Sequence, residues 1–492
     1  MQNSTKILAF VFCALCFIAT HKVAAQAITN QLYQSYDDFR ESALDQRRFK
    51  HKDIQPLINR VKSNPAYTVK VVGYSIEGRS LSLISVGSGP IDVFLWSQMH
   101  GDESTATMAI FDIINLLESG QFKREKAQLL SKVRLHFLPM LNPDGAERFR
   151  RRNALGIDIN RDALRLQSPE GQTLKRIRDS LDADFGFNLH DQSRYTNAYL
   201  TEKTATISYL APAYDYPKSI NQVRKNAMLV IGLMNKVIQQ YAPGQVGRYN
   251  DAFEPRAFGD NLQKWGTSTI LIESGGYPGD REKQEIRKLN FVSIMTAIFA
   301  IGDKSYLRES LKAYESIPGN DRKLFDVKIQ GLNYPLLGKD YLLDVAINHF
   351  EIDENEHESF YYRGGVVDQG DLSNYYAYEE LDAKGLRLSP GKVFPETIAN
   401  LGDVRRLNLA ALIKKGYTYL RVRQLDPQLN YAAFPINLVS ENFKVPELGH
   451  GVVPSTFLLS DGANPIYAVI NGFVVNLQEA KPEVPNALIY RN

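Results

Sequence analysis

The sequence predicts an α/β domain followed by a smaller β-rich domain. Three observations carry that expectation. Up to about residue 301, apolar runs of strand length alternate with amphipathic helical patterns, the rhythm of an α/β domain. From Ile317-Pro-Gly-Asn-Asp onward the texture changes to short apolar runs broken by Gly, Pro and Asn. The chain is 492 residues long, 44% hydrophobic and 23% charged, which is enough for two globular cores. No internal repeat, low-complexity tract or long linker stands out.

Residues 1–25 read as a secretory signal peptide. Lys6 precedes an apolar run from Ile7 to Ala19, too short to span a bilayer, and Val23-Ala24-Ala25 supplies small residues for cleavage near Ala25. Both cysteines, Cys13 and Cys16, fall in this segment, so no disulfide framework is expected in the mature chain. An exported bacterial protein, periplasmic or extracellular and without stable membrane insertion once the signal is removed, is the expectation. A net charge of +3 over this length gives no global attraction to nucleic acid or anionic membranes.

Residues 26–317 are expected to form the first domain. "VKVVGYSI", "LSLISVG", "IDVFLWSQ" and "VRLHFLPM" read as strands. Met108, Phe111, Ile114 and Leu117 share one face of a helix from Thr105, with Ala109 and Ile113 widening it. A second helix is expected from about Ile220 to Tyr241 and a third after Arg281. In residues 318–492, "FDVKIQGL", "YLLDVAINHF" and "YTYLRVRQL" read as strands of an accessory domain. His349 and His357 there lie in a charged segment that reads as a solvated face. The stretch "STFLLSDGANPIYAVINGFVVN" is similar to the closing strands of metal-dependent amidohydrolases but carries no catalytic residue.

Chemistry concentrates at four places. His100-Gly-Asp-Glu103 follows the carboxyl end of a buried strand and precedes a helix, where α/β sheets place ligands. A histidine and a glutamate three apart on a turn can converge on one ion, and a catalytic zinc needs a third protein donor. His51 lies in a polar segment and His136 reads as a satisfied core histidine, so His190, after "DFGFNL", is the natural third. The loop "LNPDGAERFRRRNALGIDINRD" places Asn160-Arg161 behind "GIDI", where a guanidinium fork could grip a carboxylate, with Arg151 facing a developing oxyanion. A solvated basic face is the plainer alternative. Finally, Glu273 ends an apolar strand beside Ser-Gly-Gly. A carboxylate there is costly unless paired or used, the alternative being a cap on the glycine turn.

Together, His100-x-x-Glu103, "NPDG" at Asn142 to Gly145, "RRNALGIDINRD", "NLHD" at His190 and "IESGG" at Glu273 resemble the zinc metallocarboxypeptidases of the carboxypeptidase A type. Order and approximate spacing match over about residues 50–300. The resemblance implies a mixed central β-sheet flanked by helices and one zinc ion held by His100, Glu103 and His190. It implies that Glu273 is general base and then proton donor, that Arg151 helps hold the carbonyl oxygen, and that Asn160 and Arg161 anchor the free carboxylate of a peptide or amide substrate. Tyr249 is the candidate for the family's mobile tyrosine. Phe253, Phe258 and Asp260 fall where the family builds its side-chain pocket, and Arg256 could add an anion contact. Asp162, which follows Arg161, is a departure from the family pattern and could partly neutralise it. The activity so implied is hydrolysis of C-terminal peptide bonds. A zinc deacylase or amidase acting on N-acyl amino acids or murein peptides, and a non-catalytic peptide-binding protein, are the competing readings.

Overall fold

The computed structural model describes residues 28–449, 451, 453–478 and 484–491, so the expected signal segment lies outside the described residues. Backbone contacts divide the chain into two compact units, the first ending at Arg322 and the second beginning at Lys323.

The first unit is built on an eight-stranded mixed sheet. Its strands are β1 (Tyr67–Tyr74), β2 (Ser80–Val86), β3 (Ile91–Ser97), β4 (Val133–Leu138), β5 (Phe185–Asp191), β7 (Ile207–Leu210), β8 (Val246–Arg248) and β9 (Ser268–Ser274). They lie in the order β1-β2-β4-β3-β5-β9-β7-β8, and a separate two-stranded ribbon pairs β6 (Asn197–Ala198) with β10 (Asn320–Asp321). The four central strands β4, β3, β5 and β9 run parallel. From β3 the chain moves outward to β4 on one side and then crosses to β5 on the other. The β3–β5 junction is therefore the switch point of the sheet, whose carboxyl end forms a crevice.

Period-two alternation assigns the strand residues to two cores. Val93 and Leu95 of β3 join one core, which also holds Met108, Ile114, Ile231, Met234, Phe291 and Ile298 from the helices Thr105–Glu118, Gln222–Ile238 and Gln284–Asp303. Phe94 and Trp96 join the other, with Leu174 of the helix Pro169–Leu181 and Phe258 and Leu262 of the helix Phe258–Lys264. With both faces covered, the central strands read as continuous apolar runs.

A charged pair crosses the first core. Asp112, on the buried side of the helix Thr105–Glu118, meets Arg287 at 2.5 Å with both side chains fully buried. Tyr36 Oη and the Glu41 amide also donate to Asp112 at 2.9 and 2.8 Å, and Arg287 donates to the Glu41 and Leu44 carbonyls. The pair ties the N-terminal segment to two helices.

The second unit contains two sheets, of eight and five strands. It is not purely β: strand Lys392–Asn400 runs parallel to Tyr417–Gln424 across the short helices Leu401–Val404 and Leu409–Lys414, a crossover that parallel strands require. The stretch 457–476 forms three antiparallel strands joined by tight turns. His349 corrects one expectation. Its ring stacks on Phe473 with centroids 3.8 Å apart and hydrogen-bonds the Gly472 carbonyl at 3.0 Å, so it packs in the sheet instead of facing solvent. His357 is partly exposed and bonded to Asp353.

Candidate metal centre and active-site cavity

His100 lies three residues beyond β3, His190 is the penultimate residue of β5, and Glu273 is the penultimate residue of β9, directly opposite His190. The turn bearing His100 and Glu103 is held by the loop that carries "NPDG". A Cβ on Gly101 would stand 2.0 Å from the Gly145 carbonyl carbon, so the "NPDG" turn can seat on this backbone only because residue 101 has no side chain. Asn142 caps that turn through the Gly145 amide at 2.9 Å and donates to the Arg151 carbonyl at 3.2 Å. The two motifs are thus halves of one support.

The three expected ligands converge. His100 Nδ1 lies 2.7 Å from Glu103 Oε1, His190 Nδ1 lies 2.7 Å from Glu103 Oε2, and the two Nδ1 atoms are 3.2 Å apart. Donors on a tetrahedral zinc with bonds of about 2.1 Å stand roughly 3.4 Å apart, so the donor set fits such an ion. Among the described residues this is the cluster of metal-ligating side chains that could hold a metal ion. Burial opposes a charged His100 ring, yet the Glu103 and Asp158 carboxylates hold its pKa up at about 9. Burial also opposes the Glu103 charge, but His100 and His190 keep that carboxyl well below its usual range. Burial pushes His190 down, favouring the neutral ring that a metal needs.

Asp158 was not singled out by sequence reasoning, although it stands inside "GIDIN". Its Oδ1 accepts from His100 Nε2 at 3.1 Å, the contact that orients a metal-ligating imidazole. Its Oδ2 accepts from Arg151 Nη2 and Nε at 2.9 and 3.1 Å. Arg151 in turn reaches Glu103 Oε1 at 3.3 Å and His100 Nδ1 at 3.0 Å, which puts its guanidinium beside the point of convergence.

All eight residues expected at the site line one cavity of about 500 Å³. Asn160 accepts from the Phe258 amide at 2.9 Å and approaches His190 Nε2 at 3.4 Å. Arg161 is partly exposed, with Glu254 at 3.5 Å from its Nε. Asp162 does not neutralise it. Its carboxylate is buried and accepts from the Gln167 and Ser168 amides and the Ser168 hydroxyl, ahead of the helix Pro169–Leu181. Arg256 is occupied by Glu254 at 3.2 Å. Of the three residues expected in the side-chain pocket, only Asp260 lines the cavity. Phe258 is buried in the second core and Phe253 meets Tyr216 edge-on. Asp260, desolvated by burial, is pushed up to about 6. Nearby, Asn188 presents a buried Oδ1 with no hydrogen-bond partner among the described residues.

Glu273 is 7% exposed, and among the described residues its carboxylate has no hydrogen bond or ion pair. It does not cap the glycine turn: the Gly275 amide donates to the Thr206 carbonyl instead. Burial raises its pKa well above the usual value, and the Glu103 charge adds to that. Tyr249 faces the same charge, for the Glu273 carboxylate, followed by burial, raises the pKa of its phenol.

Residues 55–232 match the family model described as zinc carboxypeptidase. Carboxypeptidase M of Mus musculus is 30% identical over 116 residues, covering 22% of this chain and 26% of that protein. Carboxypeptidase E of Caenorhabditis elegans is 31% identical over 122 residues, 20% and 26% of the two chains. The chain therefore spans about a quarter of the length of these relatives. A metallo-carboxypeptidase structure from Burkholderia cenocepacia superposes with a TM-score of 0.43 at 19% identity, over 52% of this chain and 70% of that one. The expected zinc agrees with the matched family and with the triad His100, Glu103 and His190. Over residues 55–232 the chain is thus similar to the zinc carboxypeptidase family.

Proposed function

We propose that the first unit is a zinc-dependent carboxypeptidase that hydrolyses the C-terminal bond of a peptide or related amide bearing a free carboxylate. The observation that carries this reading is Glu273. A buried carboxylate beside a metal-ligating set, facing a cavity and bonded to no protein group among the described residues, costs stability unless it is used.

Zinc held by His100, Glu103 and His190 supplies Lewis acidity, polarising a carbonyl and acidifying water. The protein's residues do the rest. Glu273, its basicity raised by burial, accepts the proton of the attacking water and delivers it to the leaving amine. Arg151, held by Asp158, stabilises negative charge developing on the carbonyl oxygen. Arg161, less than fully compensated by Glu254, grips the substrate carboxylate with Asn160 beside it. Tyr249 lines the same cavity and closes on bound substrate. Residues 1–25 direct export.

The test is zinc content together with release of C-terminal amino acids from a mixed peptide library, for the mature protein and its Glu273→Gln variant. About one zinc in each, with release slowed on the order of 10²–10⁴-fold in the variant, is expected. Equal release by both proteins, or zinc-loaded parent protein that trims no peptide, refutes the reading.

A further inference from the structure

The cavity has a second cationic wall that lies outside the matched family segment. After the helix Gln284–Asp303 the chain returns as β10, which pairs with β6 in the two-stranded ribbon through Asn320↔Ala198 and Asp321↔Asn197. Asn320 is anchored at both ends of its amide: Oδ1 stands 2.8 Å from Ser208 Oγ, and Nδ2 donates to Gln192 Oε1 at 2.8 Å. Ser208 is the residue directly opposite Glu273 on the neighbouring strand. A Cβ at Gly247 would fall 2.0 Å from Asn320 Oδ1, so this anchor fits only against a residue with no side chain.

Two residues further on, Arg322 lines the cavity. Its guanidinium is exposed and has no hydrogen-bond or ion-pair partner among the described residues. The other cavity arginines differ: Arg151 is held by Asp158 and Arg161 faces Glu254. Arg322 is thus the arginine of this cavity whose charge is left uncompensated, on a backbone fixed by the Asn320 anchor.

The two cationic walls have separate supports. Arg161 belongs with Asn160, Phe258 and Glu254, whereas Arg322 belongs with Gln192, Asn320 and Ser208. The second wall is anchored through Ser208, beside Glu273 on the sheet, so a substrate whose terminal carboxylate lies on the first wall and whose scissile bond lies at the metal-ligating set would have its acyl portion left to meet the second.

We propose that Arg322 is a specificity-determining residue that binds an acidic side chain on the acyl side of the scissile bond. The inference rests on the carboxypeptidase reading above and adds to it a substrate class: peptides with an acidic residue before the one released. A guanidinium fork meeting a carboxylate inside a cleft is a charge-assisted contact, and it loses strength with salt.

The test uses two N-acylated dipeptides with the same C-terminal residue, preceded by Glu in one and by its neutral isostere Gln in the other. kcat/KM is measured for the parent, Arg322→Gln and Arg322→Lys. The parent should favour the Glu substrate by about tenfold at low salt, with the ratio falling as salt rises. The ratio should approach one in Arg322→Gln and be partly kept in Arg322→Lys. A parent that cleaves both equally, or a preference that survives in Arg322→Gln, overturns the inference while leaving the carboxypeptidase reading standing. Zinc-loaded parent protein that cleaves neither dipeptide overturns both.

Discussion

Asp158→Asn is expected to weaken zinc binding without unfolding the domain. The carboxylate does three things: Oδ1 accepts from His100 Nε2 at 3.1 Å, Oδ2 holds Arg151 at 2.9 Å, and Oδ1 also accepts from the Asn160 amide at 3.0 Å. Asparagine keeps the shape and can still accept from the Asn160 amide, so local backbone structure survives. What disappears is the negative charge behind the imidazole. A carboxylate in that position contributes about 10- to 100-fold in metal affinity, which is roughly 1.4–2.8 kcal/mol. Removing it also leaves Arg151 uncompensated beside the metal-ligating atoms, an effect of the same sign. Asp158 is held well below the usual carboxylate range by His100 and Arg151 against its burial, so it stays charged from about pH 5 upward; because it also helps hold the proton on His100, the loss should be largest above about pH 9, where that proton no longer competes with zinc in the parent. Competition with a chromophoric chelator gives the dissociation constants of metal-free parent and variant, and thermal melts of the same samples check folding. A variant that melts like the parent and binds one zinc within twofold of the parent's affinity would refute the role assigned to Asp158.

Two further outcomes follow from the same geometry. With its pKa held at about 9, His100 carries a proton at neutral pH, so zinc binding to the metal-free protein at pH 7 should release about one proton, and affinity should rise with pH until about 9. Calorimetry in buffers of different ionisation enthalpy reads the proton number, and a value near zero contradicts it. In the first core, Arg287→Ala leaves Asp112 buried without its ion-pair partner and should cost on the order of 3–5 kcal/mol in denaturant unfolding, and Arg287→Met with Asp112→Leu should recover only part of the loss, because the Tyr36 hydroxyl, the Glu41 amide and the Glu41 and Leu44 carbonyls then lose their partners. A single variant as stable as the parent would show that the pair contributes little.

What could be read from the chain was whatever local order encodes. Strand and helix positions in the first unit follow from apolar periodicity, because each element must bury its own face; helix Thr105–Glu118, for example, keeps Met108, Phe111 and Ile114 buried. The order of His100, Glu103, His190 and Glu273 was legible because each stands at or just past the end of an apolar strand. Features decided by partners distant in sequence were not. Asp162 looks like a neighbour of Arg161, yet the turn before Pro169 claims it, since buried amides must be satisfied. Phe253 and Phe258 look alike beside Asp260, but only packing sends Phe258 into the core.

By itself, then, the sequence determined the kinds of residue available for metal binding and proton transfer and the strand ends on which they stand. The tertiary structure alone decided that Asp158 backs His100, that Asp112 meets Arg287, and that Arg322 returns to the cavity some fifty residues after Glu273. The physical reason is range. Periodicity and turn chemistry act over a few residues, whereas the partner of a buried charge is set by which strands the crossovers bring side by side.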